Sequence, residues 1–254
     1  MKQRIITGVI AGILFLTFFY LGGSFFMGLM LALGLIGLSE IIKLIKLPLS
    51  SFPSILSFIA FIFFFFRSFD SEVLLVSFSL LLMVIVTFRH ERFTFQQVGA
   101  LMFAVIFMGV GFSSFAAFRE TNLTFTLFVL LVIWCTDSGA YFMGKAFGKR
   151  KLAPTISPNK TIEGSAGGVV IALIFAIIYQ SFTHMMDSFG FLMLITCLIS
   201  ISAQLGDLLQ SAVKRIYNVK DSGRLLPGHG GIWDRFDSLL FVFVVLWMVY
   251  PFFQ

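Results

Sequence analysis

The sequence predicts an all-α, polytopic integral membrane protein of about nine transmembrane helices, with its N-terminus in the cytoplasm. Three observations predict it. First, the 254 residues are 59% hydrophobic and only 12% charged, with a mean hydropathy of +1.01. A soluble domain carries about 25% charged residues, so this chain has too little polar surface to face water. Second, the apolar residues gather into runs near the length of about 20 residues that crosses a bilayer as a helix. Third, the cations segregate to one side when those runs are counted as nine. Together these exclude a soluble globular enzyme, a disordered chain and a disulfide scaffold. No long polar segment is present to form a separate soluble domain.

The expected spans, in order, are Ile5–Leu21, Phe25–Ile45, Phe52–Phe66, Val73–Phe88, Val98–Phe118, Leu123–Phe147, Gly164–Phe182, Phe189–Val213 and Phe236–Phe253. The first follows Lys2 and Arg4, as in a signal peptide. A second run follows at once without a small-residue cleavage site, so it is kept as a helix. The third is short and reads as tilted or partly interfacial. Its Phe63–Phe66 end reads as lipid-facing or packed apolar bulk.

Orientation follows from charge. Arg67 and Arg119 fall on one side of this arrangement, and the rest of the 18 Lys and Arg fall on the other. Cytoplasmic loops carry the excess of Lys and Arg, which places the N-terminus inside and the C-terminus outside. The net charge of +6 thus reads as topogenic and not as a nucleic-acid surface. Cys135 and Cys197 lie in apolar runs and read as buried free thiols. His90, His184 and His229 are isolated, which leaves no zinc-type spacing.

The two halves differ. Residues 1–122 read as a scaffold of about five helices with short, plain loops. Residues 123–254 hold about four helices and two long cytoplasmic loops, 148–163 and 214–235, rich in Gly, Pro, Lys and Arg. Loops of such length and composition tend to carry function, so this half is the expected catalytic region.

Acids are scarce enough to weigh singly. Glu40, Asp70, Glu72, Glu91, Glu120 and Asp187 fall near span ends or in loops and read as solvated. Asp137 and Asp207 lie within apolar helices, where a carboxylate costs about 2.5–3.5 kcal/mol on insertion scales. A partner, a metal or a water-filled cavity must offset that cost. Asp137, Tyr141 and Lys145 share a helix face at four-residue spacing. Gln204, Asp207, Ser211 and Lys214 form a second polar ribbon.

In the first loop, Lys149, Arg150, Lys151 and Lys160 precede a helix start with Ser157 as its expected cap and Pro158 near its N-terminus. Cations beside a helix N-terminus suit phosphate oxygens, although a topogenic loop would look the same. The second loop is denser. It holds Lys214, Arg215, Lys220, Asp221 and Arg224, then Pro227-Gly228-His229-Gly230-Gly231, then Asp234, Arg235 and Asp237. The Gly-rich turn can converge its backbone N–H groups on an anion. Asp234 and Asp237 share a helix face. Carboxylates among cations suggest Mg²⁺ joined to the protein by one or two carboxylates and to substrate phosphates. The segment Gly139–Ala146 nearly matches a P-loop, but it lacks the final Ser/Thr and lies inside a helical run. Its small residues fit close helix packing instead.

The stretch Ser211-Ala-Val-Lys214-Arg215, Lys220-Asp221-Ser-Gly, Leu226-Pro227-Gly228-His229-Gly230-Gly231 and Asp234-Arg235-Phe-Asp237 resembles the signature of the phosphatidate cytidylyltransferase (CDP-diacylglycerol synthase) family. Trp134-x-x-Asp137-x-x-Ala140-Tyr141, Ser157-Pro158-x-Lys160-x-x-Glu163-Gly164 and Gly206-Asp207 resemble other segments of that family. The resemblance covers about residues 134–237. It implies transfer of a cytidylyl group from CTP to phosphatidic acid, by a metal-dependent, often dimeric enzyme of the inner membrane. It implies Asp207 and Asp234 as metal ligands. It also implies Lys214, Lys220, Asp221, His229, Arg235 and Asp237 as residues of the nucleotide and phosphate site. Asp137, Tyr141, Ser157, Lys160, Glu163, Ser211, Arg215, Pro227, Gly228, Gly230 and Gly231 complete the expected substrate-binding set. Mg²⁺ on Asp207 and Asp234 would bridge the CTP phosphates, with a second cation allowed.

Two other classes stay open. One is a related CTP-using membrane enzyme, either a polyprenol kinase, which would release CDP in place of pyrophosphate, or an enzyme with an archaeal ether-lipid acceptor. A transporter for an anionic solute would show paired halves with midplane sites. An odd span number, the lack of a repeat and the crowding of polar residues on one face rank transport lower.

Overall fold

The computed structural model describes residues 2–66, 71–89, 91, 93–223, 225 and 230–250, with side chains described from Thr7 onward except at positions 71 and 72. Arg67, Asp70, His90, Arg92, Arg224, Pro227, Gly228, His229 and the expected span end at Phe253 lie outside the described residues, as do the side chains of Lys2, Arg4 and Glu72.

The described residues form nine α-helices and one short hairpin. In order they are α1 (Lys2–Leu21), α2 (Gly23–Leu44), α3 (Phe52–Phe66), α4 (Ser71–Arg89), α5 (Phe95–Thr121), α6 (Leu123–Phe147), β1 (Lys151–Ala153), β2 (Ser157–Thr161), α7 (Ile162–Thr183), α8 (Phe189–Ile216) and α9 (Trp233–Val249). Helices α2, α5, α6, α7 and α8 are long and apolar enough to cross a membrane. The protein is an all-α integral membrane protein, and β1 and β2 add only a two-stranded antiparallel ribbon.

The helix ends have local causes. Asn122 caps α6 by accepting from the Phe125 N–H at 2.9 Å, and Ser188 caps α8 by accepting from Phe191 at 3.3 Å. Thr94 and Gln97 form a reciprocal capping box at the start of α5, which starts that helix three residues before the expected span. Helix α8 ends where Asn218 adopts a left-handed φ of 54°, a conformation that stops a helix and that Asn tolerates.

The chain divides into two compact units. One comprises residues 1–117 and 219–235. Its core is aromatic: Phe26 meets Phe115 edge-on at 5.1 Å and Phe19 at 5.5 Å. The loop 219–235 folds with this unit, although it follows α8 in sequence.

The other unit comprises residues 118–218 and 236–254. Here α6 and α7 lie close along their glycines. A Cβ on Gly168 would stand 2.7 Å from the Thr136 carbonyl oxygen. Within the P-loop look-alike, a Cβ on Gly139 would stand 2.9 Å from the Ile171 Cβ and 3.2 Å from the Gly168 Cα, so its small residues serve close helix approach, as expected. Thr136 on α6 donates to Ser200 on α8 at 2.9 Å, a buried hydroxyl pair that joins these helices.

Two expectations are corrected. Ser157 does not cap α7, and Pro158 is not at its N-terminus. Both belong to β2, and Thr161 is the cap, accepting from the Gly164 N–H at 3.1 Å. The ribbon continues to the helix and leaves no loop residue at the Ser157 position to cap it. Cys135 and Cys197 are free but half-buried, not buried.

Candidate active site

Within the second unit, the C-terminal halves of α6 and α8, the start of α7 and strand β2 enclose a cavity of about 430 Å³. Asp137 and Tyr141 reach it from α6, Lys160 from β2 and Asp207 from α8. The polar ribbon of α6 (Asp137, Tyr141 and Lys145) and the Gln204 and Asp207 end of the second ribbon therefore face one space. The Lys160 ammonium is ion-paired with the Asp207 carboxylate and also acts electrostatically on Asp137. Asp207 interacts in turn with Asp137 and Asp237, and Lys214 acts on Asp237. Three carboxylates and two cations thus gather in one region. Ser211 stands one helical turn beyond Asp207, with its hydroxyl 3.5 Å from Oδ1.

Glu163, Arg215 and Ser157 do not line the cavity. Glu163 accepts from the backbone N–H groups of Lys149 at 3.0 Å and Arg150 at 3.1 Å, which ties the end of the α6 connection to the start of α7. Arg215 donates from Nε to the Ile156 carbonyl at 3.3 Å and holds the hairpin turn. Ser157 sits half-buried in β2.

Some cavity residues escaped the expected set. Ser165 hydrogen-bonds Gln204 side chain to side chain, and Gln204 Nε2 returns a bond to the Ser165 carbonyl at 3.3 Å. Gln204 was visible on the polar face of its helix. Ser165 was not, because one Ser among glycines at the head of an apolar run reads as a packing residue. Asn159 and Thr161 also line the cavity.

Within the first unit, the loop 219–235 is organised by two carboxylates. Asp234 Oδ2 accepts from the Ser222 N–H at 2.8 Å, the Ser222 hydroxyl at 3.0 Å and the Gly231 N–H at 2.9 Å. Glu40, from α2, accepts from the Ile232 N–H at 2.8 Å on Oε1, and from the Trp233 N–H and the Ser222 hydroxyl, each at 3.0 Å, on Oε2. Glu40 is 5% exposed. This corrects its reading as a solvated span-end acid: the end of α2 is covered by the loop, and solvent is replaced by three donors. Glu91, Glu120 and Asp187 are exposed, as expected.

The anion-binding turn expected at Pro227–Gly231 is described at its far end. There the N–H groups of Gly231, Ile232 and Trp233 are committed to Asp234 and Glu40. Gly230 has φ +83°, and a Cβ there would stand 2.6 Å from Asp234 Oδ2, so glycine is required twice over. Lys220 and Asp221 are exposed on the same loop, and Arg235 is exposed on the first turn of α9.

Carboxylate oxygens are the donors that a hard divalent cation takes, and Asp207 has two further acids near it. Among the described residues, no three acidic, His or Cys side chains form a metal-holding group by themselves. Mg²⁺ does not require one, because it commonly binds one or two carboxylates and completes its shell with water and substrate phosphates.

The comparisons with known proteins decide the class. A model of the cytidylyltransferase family matches residues 2–253. The chain belongs to the cytidylyltransferase family. Among its relatives, a protein of Bacillus subtilis (strain 168) named phosphatidate cytidylyltransferase is 45% identical over 266 aligned positions, covering 100% of this chain and 99% of the relative. Proteins of the same name from Staphylococcus haemolyticus (strain JCSC1435) and Staphylococcus epidermidis (strain ATCC 35984) are 40% and 38% identical, each over 97% of both chains. The family resemblance read from the signature is borne out, and it extends over the first half of the chain, beyond the segment that suggested it. The protein is an enzyme of the nucleotidyltransferase class.

Proposed function

We propose that this chain transfers a cytidylyl group from CTP to phosphatidic acid, forming CDP-diacylglycerol and pyrophosphate, at the cytoplasmic face of a bacterial-type inner membrane. The observation that carries this reading is the cavity holding Asp137, Lys160 and Asp207: a charged space at the ends of apolar helices, in a chain of this family. Segregation of the Lys and Arg residues supports the cytoplasmic face.

The reaction joins a phosphate oxygen of the lipid to the α-phosphorus of CTP. The bond from that phosphorus to the bridging oxygen breaks, and its electron pair leaves with pyrophosphate. Phosphatidic acid already carries an anionic oxygen, so no protein nucleophile is needed. The work is to bring two polyanions together and to stabilise charge on the leaving group. Lys160, Lys214, Arg215, Lys220 and Arg235 supply cations for it. Asp207 and Asp234, by motif position, are the proposed ligands of Mg²⁺, with a second cation allowed. When bound, Mg²⁺ would offset phosphate charge. Asp221, His229 and Asp237 are assigned to the nucleotide site on the same ground. Asp137, Tyr141, Ser157, Glu163, Ser211, Pro227, Gly228, Gly230 and Gly231 are assigned to its surroundings. Catalysis is assigned to residues 123–254 and scaffolding to 1–122, and a homodimer is the proposed assembly.

The test is pyrophosphate release by purified protein in detergent. Release should require CTP, phosphatidic acid and Mg²⁺ together. Asp207→Asn and Asp234→Asn should each lower turnover by about 100-fold or more, the scale of a lost electrostatic group in an active site. Normal turnover by both variants would remove the metal assignment. CDP as the released product would indicate a kinase, and solute flux without CTP a transporter.

A further inference from the structure

We propose that Glu40 is the positioning residue of the loop 219–235, acting through that loop on the reaction and not on substrate. The assignment of the loop to the reaction rests on the function proposed above; the structural latch itself does not.

Glu40 lies 182 residues before Ser222 in the chain, yet its carboxylate is where the loop backbone is gathered. Both oxygens are used as acceptors. The Ile232 and Trp233 N–H groups open helix α9, so the carboxylate also meets the positive end of that helix. The fit leaves no slack. A Cβ on Gly223 would stand 2.5 Å from Glu40 Oε1, and one on Gly231 would stand 2.4 Å from Oε2. A carboxylate out of water persists only when donors replace its hydration, so the loop and Glu40 hold each other. Ser222 passes the constraint on, because its hydroxyl and its N–H also meet Asp234. Glu40 thereby fixes the backbone that orients Asp234. Glutamine has nearly the same shape, but it replaces one acceptor with an N–H₂ group aimed at N–H donors.

The experiment compares hydrogen–deuterium exchange and steady-state kinetics of full-length wild type and Glu40→Gln in detergent. Exchange across 222–233 should quicken by about tenfold, the scale of losing a charge-assisted bond in a locally opening segment, while residues 123–183 keep their protection. The kcat with CTP and phosphatidic acid should fall by about tenfold as the loop loosens. Unchanged exchange at 222–233, an equal rise across every helix, or a loosened loop with wild-type kinetics would each overturn the proposal. If Glu40→Gln does not fold, Ser222→Ala decides, since it removes one donor and keeps both backbone bonds. A smaller rise confined to 222–233 supports the latch, and no rise overturns it. If wild type releases no pyrophosphate, the proposed function fails, while the exchange data still decide whether Glu40 holds the loop.

Discussion

Asp207 and Glu40 are both acids on apolar helices, and their charges are met in opposite ways. Asp207 faces a cavity and is balanced by the side-chain ammonium of Lys160. Glu40 is sealed under a loop and is balanced by two backbone N–H groups and a hydroxyl. A side-chain ammonium can move aside for a ligand, whereas backbone donors cannot move without refolding the loop. The first arrangement is suited to chemistry and the second to architecture.

The contrast is broken most directly at Asp207. Asp207→Asn should reduce pyrophosphate release by about 100-fold or more and shift stability by no more than about 1 kcal/mol, because one ion pair is lost while repulsion from Asp137 and Asp237 is relieved. Thermal unfolding in detergent beside the activity assay reads both quantities. Glu40→Gln should reverse the balance between them. Its loss of stability should be about 1.4 kcal/mol, the equivalent of tenfold faster exchange, and should be local to the loop, read from exchange across it. If both variants lose activity without losing stability, the distinction between the two acids fails.

Finer tests follow. Gly168→Ala would place a methyl 2.7 Å from the Thr136 carbonyl and should cost about 1–3 kcal/mol through overpacking of α6 on α7, measured by thermal unfolding. Ser165→Ala removes one side of the Ser165–Gln204 pair and should cost about 1 kcal/mol, with a rise in the KM for CTP or phosphatidic acid if the cavity is the substrate site. The smallest effect is expected at Arg119–Glu120, an ion pair of adjacent residues at 3.0 Å. Glu120→Gln should change stability by less than about 1 kcal/mol and should leave turnover unchanged.

Much of the fold was legible because apolar runs of helical length are a strong signal. The expected Phe52–Phe66 and Leu123–Phe147 coincide with α3 and α6. Asp137 and Asp207 were legible for a related reason: a charge inside such a run stands against its surroundings. Glu40 was misread because an acid near the end of a run looks solvated until the covering loop is seen, and that loop lies far along the chain. The cap of α7 was misplaced because Ser157 and Thr161 both suit a cap, and only the pairing of Lys151 with Thr161 shows that the ribbon runs on to Thr161. Ser165 carried no signal in its own segment. Its role depends on Gln204, 39 residues away.

The hydroxyl of Ser222 stands 3.0 Å from a carboxylate oxygen of Glu40 and 3.0 Å from one of Asp234. It has a single hydrogen to give. At any instant one acid receives it and the other does without it. Whatever draws Asp234 toward a positive charge lets that hydrogen turn to Glu40, so a rotation about one C–O bond can register on α2 what has happened at Asp234.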